Sequence, residues 1–241
     1  MKQLGFGLLI VAASISSCGT TGGEIFKTII DAAGAGVVTE GEAGMGIKQA
    51  LSNGVVSAVL NLNKTDGFFG NDVYKMLLPA DALKVENTLR KIGMGNTVDK
   101  AILQINRSAE DAVGFAKPIF IDAIKGMTLQ DAIGIVKGGK GAATNYFKQK
   151  TTATLIAAFA PSVKGSLDKL NATKLYGDIA NTYNKIPLTN NKINPDLTGF
   201  VVGKAVDALF DQVAKEENNI RENPLARTTE ILKKVFGTVI K

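Results

Sequence analysis

Carboxylate, lysine amine, tyrosine phenol and hydroxyl are the groups left for catalysis in this chain; imidazole is not, because the sequence contains no histidine. That single absence removes Ser–His and Cys–His nucleophile pairs and imidazole metal sites together. Glu216, Glu217 and Arg221 have the most suggestive spacing, two adjacent acids with a guanidinium four residues beyond the second. Paired carboxylates can pass a proton or hold a cation. Glu217 and Arg221 also fall side by side on one helix face, where an exposed ion pair contributes only ~0.2–0.5 kcal/mol. A surface salt bridge is the expected reading, and Arg107 with Glu110 and Asp111 reads the same way. The spacing assigns no catalytic residue, no metal ligand and no cofactor.

Gly134-Ile135-Val136-Lys137-Gly138-Gly139-Lys140 fits the first seven positions of a phosphate-binding P-loop, but Gly141 stands where the magnesium-binding Ser or Thr belongs. The segment also ends a predicted helix instead of joining strand to helix. It is expected to be a glycine hinge that folds Tyr146 and Phe147 against the preceding helix. Phe68, Phe69 and Tyr74 lie beside turn glycines, where consecutive aromatics plug the end of a bundle or line a ligand mouth; the plug is expected. Tyr146 with Lys150 reads as a core aromatic beside a basic face, turned either to solvent or to anionic headgroups. Phe68, Phe69, Tyr74, Tyr146, Lys150, Glu217 and Arg221 are the candidate ligand or partner surface.

Cys18 is the one cysteine, and its position is informative. Lys2 precedes an apolar run from Leu4 to Ala13, and small residues lead to Cys18. This is the layout of a secretory signal peptide, and the run is far shorter than the ~20 residues of a membrane span. Ile15-Ser16-Ser17-Cys18 resembles a lipobox. That resemblance implies cleavage after residue 17 and lipid on Cys18, so the expected partner is a membrane, reached through that lipid. Gly19-Thr20-Thr21-Gly22-Gly23 is a flexible tether. Gly19, where an aspartate would favour inner-membrane retention, points by analogy to the outer membrane, facing the periplasm.

Removing residues 1–17 leaves roughly 220, enough for one sizeable core or two small ones. The 45% apolar and 21% charged content is that of a globular protein. With a single cysteine no internal disulfide can form. The net charge of +6 is spread along the chain, which suits a solvated surface or lipid headgroups better than nucleic acid.

Helical spacing recurs from Thr39 onward, while the strict alternation of strands is nearly absent. Thr39-Glu40-Gly41-Glu42 matches a capping box ahead of Ile47, Leu51, Val55, Val59 and Leu62 on one face. Ala82, Leu83, Val85 and Leu89 suggest a short helix. Asn96 is the expected cap of the next, with Val98, Ile102, Ile105, Ala109 and Val113 inward and Asp99, Lys100, Gln104, Arg107, Glu110 and Asp111 outward. Pro118 marks a kink or a new start. Thr128-Leu129-Gln130-Asp131 is a second capping box, and Gly138-Gly139 ends its helix. Further helices are expected over Ala142–Val163, Asn171–Tyr183, the stretch from Asn194-Pro195 to Val213, and from Asn223-Pro224 to Gly237. Lys185–Asn194 is expected to be a loop, and Glu24–Ala33 a short additional helix. The predicted fold is all-α: a single multi-helix bundle of seven to nine helices, with a signal peptide over 1–17, a lipidated tether over 18–38 and the helical domain over 39–241.

Three stretches carry a resemblance: Lys64-Thr65-Asp66-Gly67-Phe68-Phe69-Gly70-Asn71, then Thr128 through Gly138-Gly139-Lys140-Gly141 to Thr151, and Ala214 through Glu217 and Asn223-Pro224 to Gly237. Together they resemble the bacterial lipoproteins grouped as domain of unknown function 4197, over nearly all of the mature chain. The resemblance implies a helical, exported, lipidated protein, and no residue inherits a catalytic role from it. The expected function is a non-enzymatic envelope protein that binds or organises a partner. The alternatives are a carrier for lipid or another apolar ligand, gated by Phe68 and Phe69, and, third, a carboxylate-based hydrolase.

Overall fold

A computed structural model describes residues 40–79, 82–91, 93–169, 171–185, 192–223 and 233. The signal peptide, Cys18, the tether, the helix expected over Glu24–Ala33 and Thr39 of the first capping box lie outside the described residues. So do most of the loop expected over Lys185–Asn194 and nearly all of the helix expected after Asn223.

Among the described residues there are eight helices and no strand: α1 (Glu40–Leu62), α2 (Leu83–Lys91), α3 (Gly95–Val113), α4 (Ala116–Lys125), α5 (Leu129–Lys137), α6 (Ala142–Asp168), α7 (Ala172–Asn184) and α8 (Leu197–Glu222). The all-α expectation holds. Helices α6 and α8 form the central pair, α1, α3 and α4 pack around them, α2 leans on α3, and α7 on α6 and α8.

Side chains at helical spacing build this core. In α6, Phe147, Thr151, Leu155, Phe159, Val163 and Leu167 recur every four residues, and all are buried. That stripe carries the helix through Pro161, beyond the expected end near Val163. Proline inside a helix forfeits a backbone hydrogen bond, and burying Val163 and Leu167 offsets the loss with about 1.5–3 kcal/mol per side chain. In α8, Leu197, Val201, Ala205, Leu209 and Val213 face inward as expected. Phe120 of α4 meets Phe147 of α6 edge-on at 5.3 Å and Phe210 of α8 at 6.2 Å, which ties three helices at one point.

Several expectations need correction. Leu83 is exposed, on a short helix that packs mainly against α3. Helix α3 starts at Gly95 after Met94, so Asn96 lies in its first turn and does not cap it. The break before α4 falls at Gly114-Phe115, and Pro118 sits in the first turn of the new helix, where proline is tolerated. Asp196, not Asn194, caps α8 by accepting the Gly199 amide at 2.7 Å; Asn194 instead receives the Asp196 amide. The Thr128–Asp131 capping box forms as expected. No helix among the described residues is long and apolar enough to cross a membrane.

Candidate functional site

Glu217 and Arg221 are not on the surface. Only 7% and 8% of their area is exposed, which overturns the solvent-exposed reading. Gly141 precedes α6 with φ +85°, a left-handed conformation that suits glycine, and it has no side chain with which to cap the helix. Glu217 does so from across the bundle, accepting from the Ala143 and Thr144 amides at 3.2 and 3.0 Å and from the Thr144 hydroxyl at 2.7 Å. Arg221 donates to Glu217 at 2.9 Å and, on its other side, to the Ile135 carbonyl in α5 at 2.8 Å. Burial pushes the Glu217 carboxyl up, but the bonds from Thr144, Ala143 and Arg221 outweigh it and hold the group below the usual carboxylate range. The P-loop-like turn thus already has an anion on the amides a phosphate would need.

Glu110 departs from expectation in the same way. Its carboxylate is buried and accepts the Phe68 and Phe69 amides at 3.0 and 3.1 Å, while Arg107 bridges Glu110 and Asp66. The ring of Phe68 is fully buried, while Phe69 lies partly exposed beneath the Lys75 ammonium at 4.2 Å. Asn106 pins the same loop further on: fully buried, it receives the Met76 amide and donates to the Met76 carbonyl, both at 2.8 Å.

A third clamp closes on Tyr74. Its hydroxyl donates to Asp211 at 2.5 Å and accepts from Lys215 at 2.6 Å and Gln212 at 3.2 Å, all on α8. Burial and the Asp211 bond raise the Tyr74 phenol above its ordinary value against the opposing pull of Lys215, so it stays protonated at neutral pH. The bond from Tyr74 holds Asp211 low, and the contact with Tyr74 pushes Lys215 up. Phenol, ammonium and carboxylate together hold the loop against α8.

Between this loop and α8 lies an open cleft of about 550 Å³, walled by residues 73–78 on one side and by Phe200, Lys204, Asp207, Ala208 and Asp211 on the other. Val73 and Leu77 stand on its rim, 72% and 54% exposed. Behind it is a second, apolar cavity of about 60 Å³ among α2, α3, α7 and the start of α8. Leu78 lines both. Tyr146 and Lys150 are elsewhere, on a shallow groove with Asp122 and Thr154, where the Tyr146 hydroxyl donates to the Ala123 carbonyl. The seven proposed surface residues therefore divide. Phe69 and Tyr74 belong to the pinned loop and Phe68 lies beneath it, Glu217 and Arg221 to the buried cap, and Tyr146 and Lys150 to a separate groove. No group of three or more acids or thiols that could hold a metal ion occurs among the described residues.

The family model described as a protein of unknown function (DUF4197) matches residues 37–237. The chain belongs to the DUF4197 family. No curated protein and no solved structure matches it. In this DUF4197 chain, the stretches that carried the resemblance lie where the molecule is fastened: the first is the loop held by Glu110, and the other two meet where Glu217 caps α6. Asn106, Asp211 and Lys215 were missed by sequence reasoning. An asparagine at a position predicted to flank a buried stripe is a signal for Asn106, since Ile105 and Ala109 bracket it; Asp211 and Lys215 offer only an ordinary i,i+4 pair.

Proposed function

We propose that this DUF4197 chain is a non-enzymatic protein of the cell envelope, tethered to a membrane by lipid on Cys18, that binds or organises a partner at the cleft between residues 73–78 and α8. Gly19 after Cys18 favours the outer membrane, with the bundle facing the periplasm. The cleft rim carries this reading. Val73 and Leu77 expose apolar surface on a segment tied down from behind by Glu110, Asn106 and the Tyr74 clamp. Apolar groups fixed in place before binding lose little further freedom on association, the condition for a preorganised interface. The acids support a binding role over a hydrolytic one, since Glu110 and Glu217 are committed to backbone amides and to arginines.

The apolar cavity behind Leu78 supports a carrier that encloses its whole ligand only second, because about 60 Å³ holds the end of an alkyl chain and is well short of the ~300–1,000 Å³ of a full ligand pocket. A photo-cross-linking amino acid placed at Val73 of the full-length protein, in intact envelopes, tests the first reading. Cross-linked adducts are expected at Val73 and not at Ile156 on α6, which is also exposed. Equal labelling at the two sites, or none at either, counts against the cleft.

A further inference from the structure

The cleft and the cavity share a wall, and their linings differ sharply in chemistry. Of thirteen side chains around the inner cavity only Thr97 and Tyr176 carry hydroxyls; the rest are hydrocarbon. The outer cleft is charged. Asp211 is committed to Tyr74 and Lys215, which leaves Lys75 and Lys204 facing Asp207. Lys75 stacks on Phe69 at 4.2 Å and Lys215 on Tyr74 at 4.8 Å, so these ammonium groups are steadied by aromatic faces. Lys148 lies one helix over, against Phe210. With Asp211 taken by Lys215, the cleft lining keeps two lysines, Lys75 and Lys204, against one other aspartate, Asp207, next to a hydrocarbon-lined space that shares Leu78 with it.

We infer that this pair of spaces is a binding site for a single amphiphile, its anionic head (a carboxylate or a phosphate) between Lys75 and Lys204 and its alkyl chain passing Leu78 into the apolar cavity. This rests on the reading of the cleft as the binding site, and names its occupant. An apolar cavity does not favour water, whereas each methylene that enters it adds favourable transfer energy. Leu78 is the gate in place of Phe68 and Phe69. The cavity as it stands admits only the end of a chain, so binding turns the Leu78 side chain aside and eases α7 outward at Leu175, which is already half exposed at the cavity wall.

Ala101→Trp fills the cavity, Leu78→Ala joins it to the cleft, and Lys75→Glu with Lys204→Glu reverses the charge at the mouth. Purified full-length protein is exposed to a palmitate analogue carrying a diazirine in mid-chain, irradiated, and the labelled peptides are mapped. Label is expected in the peptides holding Leu78, Ala101 and Leu175. Its yield at sub-saturating probe should fall roughly tenfold in Ala101→Trp, what losing about two buried methylenes amounts to. The yield should fall in the charge-reversed protein and rise in Leu78→Ala. Should Ala101→Trp melt far below the wild type, Leu78→Ala and the charge reversal decide by themselves. Label spread over the surface, or indifferent to these substitutions, overturns the amphiphile. Protein cross-links from Val73 would then still stand, whereas loss of both results removes the cleft reading as well. A competing phosphate-headed lysolipid tells a phosphate preference from a carboxylate one.

Discussion

The Glu217 carboxylate lies 3.0 Å from the backbone amide of Thr144, a residue 73 positions earlier, and so completes a helix that its own preceding glycine cannot cap. One side chain neutralises the open amides of α6, takes the charge of Arg221, and through it holds the last turns of α5. Glu217 is therefore a structural keystone, where its spacing alone suggested a minor ion pair.

Glu217→Gln should destabilise the protein by about 3–5 kcal/mol, because it breaks the buried ion pair with Arg221 by removing one partner. Removing both charges together, as Glu217→Gln with Arg221→Met, should cost less than the single change. Urea unfolding of the two variants tests the order; a double variant weaker than the single one would contradict the pairing.

The same carboxylate sets an acid limit. Its folded-state pKa lies below the unfolded value, so its contribution is present above the ordinary carboxylate range of about 4.3 and is lost as pH falls through the folded pKa. The melting temperature of the wild type should converge on that of Glu217→Gln as the pH drops through that window. A constant gap between the two curves from neutral to strongly acid pH would rule this out.

Asn106→Leu keeps volume but leaves the buried Met76 amide and carbonyl unpaired, each costing about 1–3 kcal/mol. The loss should also be local. Hydrogen exchange should quicken over residues 74–78 more than over α6, and uniform quickening would show that Asn106 does not pin the loop.

Gly67→Ala places a methyl group about 2.2 Å from the Leu62 carbonyl oxygen, a backbone atom that cannot swing away. Gly134→Ala meets nothing, although it lies in the P-loop-like segment. The first substitution should lower stability by about 1–3 kcal/mol, like other overpacked sites, while the second should be neutral or slightly stabilising through helix propensity. Thermal melts of both separate a steric role for Gly67 from a general need for glycine.

Cys18→Ser should leave the helical circular dichroism spectrum unchanged and release the protein from membranes. Two or more acyl chains at ~0.8 kcal/mol per methylene hold firmly where a single chain binds only reversibly. Palmitate labelling of the wild type and fractionation of the variant check this; unchanged membrane association in a cell expressing Cys18→Ser would defeat it.

The helical stripes were legible because burial repeats every three or four residues: Val98, Ile102, Ile105, Ala109 and Val113 all face the core as their spacing required. The polar residues were misread for the converse reason. Glu110 and Glu217 fall where a helical wheel meets water, yet a loop and a helix terminus that arrive from elsewhere in the chain cover them. Periodicity describes one helix at a time and is blind to what lands on it. The cleft was invisible for the same cause, since its two walls are separated in the sequence by more than the length of four helices.

That separation has a consequence for how the molecule comes into being. Tyr74 is made early, and its three partners on α8 come 137 to 141 residues later. A chain being synthesised or translocated from its N-terminus can fasten the loop to Glu110 and Asn106 long before the opposite wall exists. Closing so long a connection is a late, slow event. The cleft is thus the last part of the molecule to mature, and a protein truncated ahead of α8 would lack one of its two walls.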